Sequence, residues 1–390
     1  SLVKFKVPMI SSGLFLFFGG MKLIGNHRLL LIALLLLIFI IPSSHAMDNQ
    51  TDDLIEIEDN QTAISMVDED TLAASNDYYF NSSLENDNGD GSSQNPYKYL
   101  TADRIKGNCN IHLTDGEYVL DDSKTIEKVN IIGSTPTKTI IKYDGVGFTV
   151  NSFLSLTNVT LTDISITNHG SVNATNTIFN YGYGSKADSY GNNYGGAIYT
   201  SNANANSKVT ISNCTFNEGY AVYGGAIYMG TGYLSIYDSQ FISNCAYNFG
   251  GAIACENTFN VTVSKSKFIR DHSIDDAGGA IYVKSSPITI SYCDFINCSA
   301  TFGGAITTLN GDVKLNHVNV LNNSAKWDGG AIYHMYGKFA STNGYYNNNS
   351  ARNGGALYID NSSDLLLISN IFEANNANIQ AGAIFSLLNN

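Results

Sequence analysis

The sequence predicts an all-β fold, a right-handed parallel β-helix built from three-strand coils of about 26 residues. Three observations predict it. A four-residue phrase, Gly-Gly-Ala-Ile or a close variant, recurs eight times at nearly even spacing. Between the copies, an apolar alternation and then an aromatic residue superimpose without gaps. Helical periodicity is absent, so a repeat of this length reads as a strand-built solenoid.

The first glycines, or their equivalent, fall at Gly195, Gly224, Gly250, Gly278, Gly303, Gly329, Gly354 and Ala381, with spacings of 29, 26, 28, 25, 26, 25 and 27 residues. The second glycines are Gly196, Gly225, Gly251, Gly279, Gly304, Gly330 and Gly355. Glycine in such a place lets the backbone turn with positive φ, or lets another backbone come close. The apolar residue that follows is Ile198, Ile227, Ile253, Ile281, Ile306, Ile332, Leu357 or Ile384. Coils stacked at strand spacing would place these side chains in one interior row.

Each period holds a second apolar pair, as in Val209/Ile211, Leu234/Ile236 and Val261/Val263. Five residues after the pair comes Phe216, Phe241 or Phe268, and the later copies follow suit with Phe295, Val320, Tyr346 and Phe372. Side chains in a strand alternate sides, so an odd step of five cannot stay on one inward face. The chain must bend between the pair and the aromatic. Each period therefore reads as three strands and three bends.

Upstream elements follow in order. Residues 1–20 read as an upstream segment that is mistranslated or extends a signal. Residues 21–46 read as a signal peptide: Lys22 and Arg28, then an apolar run, Pro42, and small Ser44 and Ala46 at the cleavage positions. Residues 47–77 read as an acidic disordered linker, since residues 47–97 hold thirteen acidic side chains and no lysine or arginine. The solenoid is expected over 78–390, with an entry cap and first coils over 78–180 and the glycine repeats over 181–390. A short helix is expected over residues 100–106. The chain stops inside a repeat, which reads as a truncated C-terminus.

Outside that acidic segment the charges cancel at 21 of each sign. No basic cluster points to nucleic acid. The six cysteines show no metal spacing. Cys214 and Cys293 each stand two residues before a repeat phenylalanine, which suits small buried packing residues. Cys245–Cys255 and Cys293–Cys298 bridges are the alternatives. Eleven N-x-S/T sequons suggest glycosylation of an exported chain. Asn86, Asn88, Asp90 and Gly91 partly match a calcium loop, but Tyr97 stands where the closing glutamate belongs. A plain turn is the simpler reading. No cofactor or metal is expected, calcium being the minority alternative.

The phrase "GGAI" followed by "FISN" (Phe241 to Asn244) or "FEAN" (Phe372 to Asn375) resembles the repeats of chlamydial polymorphic membrane proteins and of adhesin-like surface proteins of methanogenic archaea. The stretches "DGSSQNPYKYL", "IHLTDGEYVL" and "VNIIGSTPTKTII" are similar to the entry coils of pectate-lyase-like β-helix proteins. The resemblance implies a secreted or cell-surface, adhesive role and no reaction. Three copies depart from the FxxN half, with Gly219, Asp271 or Cys298 in the asparagine place.

The expected contact surface is the set of long bends before the glycines. Tyr181, Tyr183, Tyr190 and Tyr194 crowd the largest, and Trp327 occupies another. Tyrosine among small polar residues supplies contact area at low entropic cost. The partners expected are glycans or proteins of a host or neighbouring cell, with the membrane involved only through the signal peptide or a C-terminal anchor. Two other readings stay open. A polysaccharide lyase or glycoside hydrolase on the same fold would draw on the densest ionisable cluster, Arg270, Asp271, His272, Asp275 and Asp276. That cluster otherwise reads as one solvated loop. A non-binding envelope stalk is the remaining reading.

Overall fold

The computed structural model describes residues 76–184, 191–201 and 204–387. The signal peptide, nearly all of the acidic linker, and Tyr190 lie outside the described residues. Among those described, every regular element is a strand and the strands pair in parallel. Twenty-eight strands are joined in one wrapped system of ladders and seven more form a second sheet. This is the expected parallel β-solenoid.

Stacking follows the repeat residue for residue. Ile198, Ile227, Ile253, Ile281, Ile306, Ile332, Leu357 and Ile384 are direct neighbours up the tube. Phe179, Phe216, Phe241, Phe268 and Phe295 form a second column, with rings 4.5 to 4.8 Å apart and within 5° of parallel. Their near-identical tilt follows from the coil repeat, which carries each ring onto the next. The alternating pairs make a third column, Val209–Leu234–Val261–Ile288–Val313. Burying these columns is the main driving force for the fold.

The two glycines of each phrase do different work. Gly278 turns the chain at φ 72°. At Gly279 an added Cβ would lie 2.0 Å from the carbonyl oxygen of Gly304 in the next coil. The first glycine serves conformation and the second serves coil-to-coil approach. Ala381 stands in the first place at φ 55°.

Three expectations need correction. Residues 100–106 form turns, not a helix. Ala102 N donates to Asp121, Arg104 reaches back to Asp87 at 2.8 Å, and Leu100 and Ile105 are both pulled into the core. Such local polar bonds compete with helical ones. Asn76–Phe80 already pairs with Cys109–Leu113, so residues 76 and 77 belong to the solenoid rather than to the linker. From Tyr220 onward, seven successive coils also have a fourth strand, between the aromatic position and the glycines, and these strands form the seven-stranded sheet.

The FxxN half of the repeat builds a ladder of buried amides. Asn323 Oδ1 accepts from Cys298 N at 2.8 Å, and its Nδ2 donates to Phe295 O at 3.0 Å and to Asn349 Oδ1 at 3.0 Å. Asn349 repeats the pattern with Val320 O and Asn375 Oδ1. The residue before each ladder position takes positive φ, as at Asn297 (58°), Asn322 (58°) and Asn348 (54°). Asparagine tolerates that conformation better than most residues. Three of the sequons therefore have a reason in the fold alone.

All six cysteines are free. Cys293 Sγ points to Val263 O and Ser291 O, while Cys298 occupies a ladder place. Neither proposed bridge is formed. Five of the six are buried and pack as small side chains; Cys245 is half-buried on the outer surface.

His334 is fully buried in the tube, with Nδ1 2.8 Å from Thr308 Oγ1. Burial pushes its imidazole down to about 4. A depressed histidine stabilises the fold above its ordinary value near 6.5, and that contribution is lost as pH falls from there toward 4. Replacing His334 by glutamine should therefore remove up to about 2 kcal/mol of acid sensitivity between pH 7.5 and 5. Parallel denaturant titrations of both proteins check it; equal acid losses would refute it.

Candidate functional site

The seven-stranded sheet positions the surface side chains. Its strands are Tyr220–Tyr223, Cys245–Phe249, His272–Ser273, Ser299–Phe302, Ser324–Asp328, Ser350–Asn353 and Asn376–Gln380. Two residues after each ladder place a small residue faces inward: Ala221, Ala246, Ser273, Ala300, Ala325, Ala351 or Ala377. Neighbours on either side face out. A register shift between most adjacent strands bends this wall where it meets the glycines.

At that bend the ends of the fourth strands pack against outward residues of the glycine strands. Tyr194 stacks on Tyr223 at 4.9 Å, and Phe249 on Tyr282 at 4.4 Å. Tyr228 is nearly buried there, and its hydroxyl donates to Glu256 at 3.2 Å. This second apolar cluster lies outside the tube and braces the corner.

The predicted binding residues separate into two groups. Tyr183 projects from the wall, 65% exposed, and stacks on Tyr220 at 5.3 Å. Tyr181 is also exposed, at φ 57°. Tyr194 belongs to the corner cluster and braces the wall. Trp327 stands in a strand rather than a bend, 38% exposed, with the Arg352 guanidinium 4.6 Å from its ring centre. It is five coils from Tyr183, about 24 Å at strand spacing. Sequence reasoning missed Tyr247, which is 43% exposed on the same outer face between them. The recurring small residue two positions after each ladder place, alanine in all but Ser273, was the signal that marks a strand there.

The ionisable cluster does not converge. Asp271 points into the wall and is fully buried, where Asn244 N and Nδ2 donate to its Oδ1 at 2.8 and 2.9 Å. The reading of the whole stretch as a solvated loop is thus wrong for Asp271. Side chains alternate across a strand, so His272 faces out while Asp271 and Ser273 face in. Arg270 Nε donates to Ser243 Oγ at 3.3 Å. Asp275 is exposed, and its bond and negative charge push the Tyr247 phenol up. Asp276 is half-buried, and desolvation with Asp275 close by pushes its carboxyl up. Among the described residues, no group of three or more His, Cys, Asp or Glu side chains is arranged to hold a metal ion. The stretch 86–91 is a hydrogen-bonded turn in which Asp90 Oδ1 accepts from Ser92 N.

No family model matches the chain, and no curated protein does. Among solved structures it is similar to a mannuronic acid specific polysaccharide family 6 lyase from human gut microbiota. That likeness covers 75% of this chain and 82% of the other, at 9% identity and a TM-score of 0.33. A likeness at that level says nothing of activity.

Proposed function

We propose that this chain is an exported, adhesin-like surface protein that attaches to glycans or proteins of other cells through the outer face of its seven-stranded sheet. One observation carries the reading. Tyr183, Tyr247 and Trp327 are exposed on one wall, among serine, threonine and asparagine with a few charged side chains such as Lys326 and Arg352. Exposed aromatic rings on a preorganised surface offer stacking area with little entropy to lose. The corner cluster supports that reading by bracing one edge of the wall.

A triple substitution, Tyr183→Ser, Tyr247→Ser and Trp327→Ser, should weaken binding to whole cells or arrayed glycans at least about tenfold. Melting temperature should hold, because none of the three is a core residue. Unchanged binding by the folded variant rejects the reading.

The enzymatic alternative retains one specific observation, the Tyr247–Asp275 pairing on the face that also carries His272. Depolymerisation of pectin, alginate or xylan by the parent, lost in a His272→Ala, Asp275→Asn variant, would establish it instead. Absence of both binding and cleavage would leave the structural stalk.

A further inference from the structure

Asp271 occupies the ladder place that Asn244, Asn323, Asn349 and Asn375 hold in other coils. An asparagine there accepts through Oδ1 from the preceding coil. Its Nδ2 donates to the carbonyl of the column residue in that same preceding coil, as Asn244 does to Phe216 O and Asn323 to Phe295 O. Asp271 keeps only the accepting half, through Oδ1. Its Oδ2 stands where the amide donor belongs, fully buried and with no hydrogen-bond partner. The ladder register sets that oxygen toward Phe241 O, since Phe241 and Phe268 are direct neighbours. Two acceptors would then face each other. On the other side the next coil offers Cys298 in place of an amide, and its Sγ lies 3.7 Å from both Phe268 O and Ile296 O.

We infer that Asp271 is held as a neutral carboxylic acid whose Oδ2–H donates to Phe241 O in place of the missing amide, so that one proton latches this coil and its loss loosens it. The O–H supplies the donor the ladder needs; the carboxylate supplies none and carries an unpaired charge into the wall. The groups facing it are few. Arg270, on the same turn, favours the charged form. His272 follows on the outer face. Asn244 approaches from the preceding coil and the Cys298 thiol from the next. Burial outweighs these and pushes the carboxyl up to about 7. The sign follows: stability is full below the ordinary carboxylate value near 4 and is lost as pH rises toward 7.

The latch acts at a sensitive place. His272–Ser273 is the shortest strand of the seven-stranded sheet, and it leads directly into Ile274 and Asp275 beside Tyr247. Mildly acidic surroundings would therefore hold this part of the wall in order and alkaline ones release it. The latch stands whether or not the wall binds anything.

Infrared spectra of the intact protein at pH 5 should show a protonated-carboxyl band that disappears by pH 8.5 and is weaker by one carboxyl in Asp271→Asn, where Asp276 remains. Hydrogen exchange over residues 268–278, corrected for intrinsic rate, should quicken at least about tenfold from pH 5 to 8.5 in the parent. Asp271→Asn restores the amide and should stay protected at both. No such band at pH 5, or the same loss of protection in Asp271→Asn, overturns the inference. The parent's own band does not depend on how the variant folds, and the local readout separates the latch from His334, which lies in another coil.

Discussion

Gly279→Ala is expected to destabilise the solenoid by about 4 kcal/mol, at the upper end of single-site effects. The added methyl would lie 2.0 Å from Gly304 O and 2.7 Å from both Ser299 N and Ser299 O. All three atoms are backbone, so no side chain can rotate away. Relief requires parting two coils that are tied by Gly279 N to Gly303 O at 3.1 Å and Ala280 N to Ala305 O at 2.8 Å. A solenoid coil contacts only its neighbours, so the damage should be local at first. Denaturant unfolding should become broader or biphasic, and limited proteolysis should cut between residues 279 and 304. Gly278→Ala should cost less: its methyl would meet Ile281 O at 2.4 Å within its own coil rather than a neighbouring coil, and Ala381 already takes the same place at positive φ. A Gly278 variant as damaged as the Gly279 variant would break the account of the second glycine as the coil spacer.

Asn323→Leu should cost a similar amount, about 3–5 kcal/mol, although leucine nearly preserves the volume. The change removes the acceptor of Cys298 N and the donor to Phe295 O, both inside the wall. Each buried group left without a partner carries a desolvation penalty of about 1–3 kcal/mol. Asn349 Oδ1 keeps only its bond from the backbone of residue 323. Asn323→Asp discriminates further. It would copy the Asp271 situation, so its loss should be small in mild acid and large at pH 8. Equal loss at both pH values would show that shape, not the amide donor, decides this position. Chemical denaturation at two pH values measures all of it.

Much of the fold was legible in the chain because stacking makes equivalent letters touch. Ile227, Ile253 and Ile281 are consecutive in one column, as the spacing required. The phenylalanine column and the alternating pairs were legible for the same reason. The fourth strand was not. Its inward residue is alanine or serine and its leading outward residue is tyrosine, cysteine, histidine, serine or asparagine, so no apolar alternation announces it. Register shifts along the same strands disturb the spacing further. Residues 100–106 misled in the opposite way: helix-compatible letters are held in turns by bonds to residues 87 and 121.

Of the candidate site, the sequence located the aromatic residues but not their roles. Tyr183 and Tyr194 stand eleven positions apart in one segment, yet one projects to solvent and the other braces a corner. Only the meeting of two walls separates them. Asp271 and His272 are adjacent letters on opposite sides of a sheet. The chain by itself determined a stacked β-solenoid, because a repeated phrase can satisfy its apolar columns and close glycine contacts only when each copy lies on the last. The tertiary structure decided which side of the wall each polar group faces. Across a strand that choice turns on a single residue of register, and it makes the Asp271 carboxyl a buried ladder member while His272 beside it faces outward.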